Sequence, residues 1–235
     1  MNDGPVPAVA LDVNETLLDL GALDPLFEDL VGDGPASRRS WFRRMLHAAL
    51  TITATGGYEP FGALGGAALR DLATERGVEL PADAGDRLAT GMTTLPPHPD
   101  TAPALGRLRE AGVPMVALTN SVFDVATAQI ENAGLAGYVD GVVSADEAGM
   151  LKPSPRPYAL AADRLGVPLA ELWLVAAHDW DVVGARAAGA HAAFLARPGQ
   201  RQPIAGPRPD LVAPDLDSLV TALFAAAGIR PPEPR

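Results

Sequence analysis

The sequence predicts an α/β fold, a doubly wound parallel sheet with an all-helical segment inserted after its first strand. Three observations predict it. Short apolar runs stop abruptly in polar residues, the first being Ala8-Val9-Ala10-Leu11 followed by Asp12-Val13-Asn14-Glu15-Thr16. From about Ala102 onward such runs alternate with helical patterns of roughly ten to fifteen residues, the signature of βαβ units. Between them, from Leu18 to about Thr94, the pattern is helical with no strand-like run.

The first run is short and wholly apolar, as a strand buried on both faces of a parallel sheet should be. In open α/β sheets ligands bind beyond the carboxyl ends of the strands, where Asp12 falls. A carboxylate there can serve as nucleophile, metal ligand or general base, or merely cap the next turn.

Next come four helical patterns. Pro25 to Val31 is closed by Gly32. A helix N-capped by Ser37 carries Trp41, Phe42, Met45, Leu46 and Leu50 on one face. Phe61 to about Arg76 stops at Gly77, and Pro81 to about Gly91 follows. The remainder reads helix from Ala102 to Ala111, strand at Pro114–Leu118, helix from Val122 to Ala133 and strand at Tyr138–Ser144. Then come a helix at Tyr158–Leu165, a strand at Leu172–Ala176, a helix at Asp181–Ala188, a strand at His191–Leu195 and a closing helix at Asp215–Ala227. Right-handed crossovers place helices on both faces of a Rossmann-like core. The expected organisation is a discontinuous core, residues 1–16 and 96–230, a helical cap over 17–95 and a tail at 231–235.

Composition narrows the function classes. The 235 residues carry a net charge of −11 and no cysteine. The acidic balance argues against nucleic acid and anionic membranes as partners, while leaving room for a small anionic substrate in a locally positive site. Disulfide and thiol chemistry are excluded. No apolar run reaches the roughly 18–20 residues of a membrane span, and no basic-then-apolar leader is visible at the N-terminus. A cytoplasmic protein is expected, and apolar cap helices could support a homodimer.

Four strand ends share one rim: Asp12 with Asn14 and Thr16, Thr119-Asn120-Ser121, Lys152, and His178-Asp179-Trp180-Asp181. A carboxylate nucleophile, a lysine, hydroxyl and amide donors and a second carboxylate suit hydrolysis through an ester intermediate. Each also has a plainer reading: Thr119, Ser121 and Asp181 as helix caps, Lys152 as a solvated loop lysine, His178 as a polar loop residue.

The order Asp12-Val-Asn-Glu-Thr16-Leu17, Leu118-Thr119-Asn120-Ser121, Lys152-Pro-Ser-Pro-Arg-Pro-Tyr158 and Trp180-Asp181-Val-Val-Gly184-Ala185 resembles the haloacid dehalogenase superfamily, and within it the type II 2-haloacid dehalogenases. The resemblance runs from Val9 to about Phe224. It implies hydrolysis of a small 2-haloalkanoic acid to a 2-hydroxy acid, with Asp12 displacing halide to form an ester that water then cleaves. It gives Thr16, Thr119 and Lys152 the task of holding carboxylates, puts Asn120 near the halide or substrate carboxylate, and lets Tyr158 and Asp181 orient Lys152 and the water. Asn14, His178 and Arg43 complete the expected substrate-binding set, and no cofactor is implied.

The chain departs from that pattern at several positions. Asn14-Glu15 stands where these dehalogenases carry Tyr-Gly, and Ala176 and His178 where they carry Ser and Asn. Phe42 falls where a gap-free register expects the cap arginine, with Arg43 one position on. The superfamily's phosphatases imply a second reading, a magnesium-dependent phosphatase of a small metabolite. Their second acid is Asn14 here, and their Gly-Asp pair aligns with Ala176-Ala177, leaving Asp179 as the replacement ligand. A third reading is a degenerate member that binds without turnover.

Overall fold

The computed structural model describes residues 7–229, so the expected tail at 231–235 lies outside the described residues. Six parallel strands form one sheet in the order β3-β2-β1-β4-β5-β6: β1 Ala8–Leu11, β2 Met115–Thr119, β3 Gly141–Ser144, β4 Leu172–Ala176, β5 His191–Leu195 and β6 Leu211–Ala213. β1, which delivers Asp12 just beyond its end, is internal, with Ala10 opposite Val116 on one side and Leu174 on the other. Its side chains alternate as a pleated strand requires. Val9 and Leu11 join one core with Leu105, Leu108 and Leu223, and Ala8 and Ala10 join another with Tyr158, Val182 and Phe194.

Nine α-helices accompany the sheet among the described residues. α1 (Asp24–Val31), α2 (Gly34–Ala54), α3 (Phe61–Arg76) and α4 (Ala84–Thr93) all lie between β1 and α5 (Thr101–Glu110). The others are α6 (Phe123–Asn132), α7 (Pro155–Leu165), α8 (Asp179–Ala188) and α9 (Leu216–Ala227). Trp41 on α2 is buried with its ring 5.1 Å from Phe27, and its indole N–H donates to the Gly65 carbonyl at 2.8 Å. A Cβ at Gly65 would meet the Met45 sulfur at 3.2 Å and the Trp41 ring at 3.5 Å, so the glycine lets α3 lie close against α2 without displacing Met45. No helix of the described residues is long and apolar enough to cross a membrane.

The structure corrects several local expectations. Ser37 does not cap α2; the helix begins at Gly34 with Pro35 in its first turn, and the Ser37 hydroxyl donates to the Gly32 carbonyl from within it. Thr119 and Ser121 do not cap α6, whose N-cap is Val122. Asp181 does not cap α8, which starts two residues earlier, leaving its carboxylate free to face inward. β3 begins at Gly141 rather than Tyr138; just before it, Asp140 meets Met115 with its backbone N–H on the Met115 carbonyl at 2.7 Å and its carboxylate, in place of a carbonyl, accepting the Met115 N–H at 2.9 Å. β6 was not expected: three residues following a stretch rich in proline and glycine give no periodicity to read.

Candidate active site

Asp12 is the first residue beyond β1, and its carboxylate is buried among donors on both oxygens. On Oδ1 sits the Lys152 ammonium at 2.8 Å. Lys152 is buried, and its Nζ also donates to Asp181 Oδ2 at 2.6 Å and to the Leu118 carbonyl at 3.1 Å. Tyr158 from α7 donates to Asp181 Oδ1 at 2.5 Å. On Oδ2 sit two groups, the Thr16 hydroxyl at 2.6 Å and His178 Nδ1 at 3.1 Å. Thr16 is aimed by the Ala177 N–H, which donates to its oxygen at 2.9 Å. The other ring nitrogen of His178 faces Glu15 Oε2 at 3.1 Å. Gln200 donates to that same oxygen at 2.9 Å, and Arg38 meets the other at 3.3 Å.

Burial opposes charge everywhere here, and the partners decide the outcome. Burial alone would raise the Asp12 carboxyl, but Lys152 and His178 outweigh it and hold Asp12 well below the usual carboxylate range. Burial alone would lower Lys152, but Asp12 and Asp181 raise it. Burial also opposes the charged ring of His178, yet the hydrogen bonds and charges of Asp12 and Glu15 push it up to about 10. Asp181 goes the other way: burial, with the nearby charge of Asp12, outweighs Lys152 and raises its carboxyl.

Of the residues singled out in the sequence, Asp12, Thr16, Lys152, Tyr158, His178 and Asp181 form one connected network. Asn14 lies beside it. Its side-chain oxygen accepts from Gln129 at 3.0 Å, and its amide reaches Ser121 Oγ at 3.5 Å. The same Gln129 amide donates to the Met92 carbonyl on α4 at 2.9 Å. Thr119 and Asn120 are engaged with backbone. Thr119 Oγ1 accepts the Ser121 N–H at 3.1 Å, and Asn120 accepts from the Lys152 N–H at 2.8 Å and donates to the Lys152 carbonyl at 3.4 Å. Arg43 is exposed on α2, at a cleft of about 390 Å³ that Glu15, Arg38, Phe42, His178 and Trp180 also line. Phe42, in the place of the expected arginine, packs its ring 5.5 Å from that of His178, whose other neighbour is Trp180 at 5.3 Å.

Sequence reasoning missed Glu15, Arg38, Gln129 and Gln200. Glu15 stood inside the first motif as a departure from the pattern. The others carried no local signal, being single polar residues on unrelated segments.

A buried, ionised carboxylate with a lysine on one oxygen, at the carboxyl edge of a doubly wound sheet, is placed as a nucleophile for hydrolysis would be. The chain belongs to the haloacid dehalogenase-like hydrolases, whose family model matches residues 6–189. It is 33% identical over 187 residues to (S)-2-haloacid dehalogenase 1 of Pseudomonas sp. (strain CBS-3), covering 79% of this chain and 82% of that protein. It is 31% identical over 196 residues to the (S)-2-haloacid dehalogenase of Xanthobacter autotrophicus, covering 83% and 77%. The solved structure of L-2-haloacid dehalogenase from Xanthobacter autotrophicus with chloropropionic acid covalently bound superimposes with a TM-score of 0.85 at 27% identity, over 93% of this chain and 98% of that one.

Proposed function

We propose that this chain hydrolyses small 2-haloalkanoic acids to 2-hydroxy acids through an ester on Asp12. The observation that carries the reading is the Asp12 carboxylate itself, buried and held ionised, with Lys152 alone on Oδ1. Oδ2 already accepts two hydrogen bonds, so Oδ1 keeps the more available lone pairs and is the attacking oxygen. It forms a bond to the carbon bearing the halogen as halide leaves with the bonding pair. Water then adds to the Asp12 carbonyl carbon and gives a proton to Asp181, whose raised carboxyl suits it as base. On collapse the bond between that carbon and Oδ1 breaks. The departing oxygen takes a proton from Lys152, which Asp181 restores across 2.6 Å. Asp12, left as a carboxylic acid, loses its proton to solvent.

On this reading residues 17–95 form the cap over a core of 1–16 and 96–230, and Arg43 draws the substrate anion to the mouth of the cleft. Thr119, Asn120 and Asn14 support the site through the loops they tie together rather than by lining that cleft. The cytoplasm is the proposed location.

The donor set does not fit magnesium, which needs several free oxygen ligands. The Lys152 ammonium sits on Asp12 Oδ1, Thr16 and His178 are on Oδ2, the Asn14 oxygen accepts from Gln129, and Asp179 accepts the Trp180 N–H at 2.8 Å. Among the described residues no group of three or more His, Asp or Glu side chains is arranged so that it could hold a metal ion. This weighs against the phosphatase reading.

The test is halide release from racemic 2-chloropropionate with and without chelator, beside a phosphatase assay. Halide release that ignores chelator and stops near half conversion supports the reading. Magnesium-dependent phosphate release without halide overturns it. A single turnover in oxygen-18 water should label Asp12 and leave the product unlabelled.

A further inference from the structure

The ring of His178 is fixed between two carboxylates, with Asp12 Oδ2 at 3.1 Å from Nδ1 and Glu15 Oε2 at 3.1 Å from Nε2. An ionised carboxylate can only accept, so both ring nitrogens must donate and the ring is an imidazolium. The packing agrees: the ring centroid lies 5.5 Å from that of Phe42 and 5.3 Å from that of Trp180, and aromatic faces attract a cation. The counter-carboxylate cannot wander, because Gln200 and Arg38 hold both of its oxygens.

Alkylation at Oδ1 turns Oδ2 into the ester carbonyl oxygen, still facing the Thr16 hydroxyl and the His178 ring. When water adds to the carbonyl carbon, the electron pair of the carbonyl moves onto Oδ2, and donors already aimed there are worth most at that moment. Forming the ester also removes the negative charge of Asp12, one of the two charges that hold the proton on His178. Glu15 is the other, and it outlasts the first half-reaction.

We propose that His178 is a catalytic residue of ester hydrolysis, acting with Thr16 as the oxyanion site for Oδ2, and that Glu15 is the positioning residue that keeps its ring cationic after Asp12 is esterified. The proposal rests on the ester mechanism above. The proton of the attacking water still goes to Asp181, and His178 keeps its two protons throughout.

The experiment is rapid quench with 2-chloropropionate on the wild-type chain, His178→Gln and Glu15→Gln, reading halide released per site and the mass of the peptide containing Asp12. Both variants should release about one equivalent of halide in a burst and then accumulate the Asp12 ester. Ester hydrolysis should slow by about 10²–10³-fold in His178→Gln, the usual effect of deleting one oxyanion donor, and by roughly tenfold in Glu15→Gln. Because the slowed step follows alkylation, kcat and KM should fall together in Glu15→Gln, which a merely structural role would not produce. Glu15→Gln carries the test alone if His178→Gln fails to fold. Ester hydrolysis at the wild-type rate in a folded variant, or loss of the burst in one, overturns the proposal. Wild-type enzyme that releases halide without ever carrying an Asp12 ester defeats the underlying mechanism instead.

Discussion

The two oxygens of Asp12 face two arms built on one plan. On the Oδ1 arm a cation, Lys152, lies between Asp12 and Asp181; on the Oδ2 arm a cation, His178, lies between Asp12 and Glu15. The outer acids respond in opposite directions. Burial and the charge of Asp12 raise Asp181, while Glu15, also opposed by burial, is lowered because His178, Arg38 and Gln200 outweigh it. One arm therefore ends in a carboxylate suited to accept a proton, the other in a carboxylate suited to remain charged. The Oδ1 arm is built from Lys152, Asp181 and Tyr158, which the sequence resemblance singled out, whereas the Oδ2 arm carries Glu15 and His178, where the sequence departs from that pattern. The comparison teaches that one plan, a cation between two acids, yields a proton acceptor or a fixed charge according to what else surrounds the outer acid.

The largest effect belongs to the shared group. Asp12→Asn should reduce halide release to background, since an amide is a poor nucleophile, and ion-selective measurement of halide checks it. Lys152→Met breaks the Oδ1 arm alone. It should lower kcat by about 10²–10³-fold. It also leaves Asp12 and Asp181 buried without their cation and should cost roughly 3–5 kcal/mol in urea unfolding. Gly184→Ala strikes the same arm from behind. A Cβ there would run into Pro153 and lie 2.6 Å from the Tyr158 hydroxyl, so overpacking should cost about 1–3 kcal/mol, visible as a lower Tm, and kcat should fall as Tyr158 moves.

The Oδ2 arm should show itself in stability against pH. His178 is raised to about 10 in the folded chain, so its contribution is complete below its ordinary value near 6.5 and is lost as pH rises toward 10. Asp12 and Glu15 face the ring, Arg38 stands behind Glu15, and Lys152 faces the far oxygen of Asp12. Denaturation midpoints of the wild type should fall across that window, and His178→Gln should flatten the fall. The smallest effect is expected at Arg43, outside both arms. Arg43→Ala should raise KM by up to about tenfold and weaken its dependence on salt while leaving kcat unchanged.

Much of the Oδ1 arm was legible in the sequence because parallel strands deliver their ends to one rim. Asp12 and Lys152 are 140 positions apart, yet the alternation of elements was enough to bring them together. Asp181 was legible as a residue but not as a geometry, because the start of α8 lay two residues earlier than its spacing suggested. The Oδ2 arm was largely illegible. A glutamate with φ of 60° in a tight loop, an arginine on a helix and a glutamine in a loop each look like solvated surface until tertiary packing sets them around one histidine. β6 escaped for a different reason: its pairing with β5 is all that makes three residues a strand.

Gln129 has a mechanical consequence. Its one amide nitrogen ties the loop carrying Asn14, two residues from the nucleophile, to the Met92 carbonyl of α4. Any stroke of α4 away from the sheet must stretch one of these two bonds, at about 1 kcal/mol for each one lost. Travel of the helical segment and slack in the nucleophile loop are thus geared together: the amide acts as a tether that sets how far one can go before the other is disturbed.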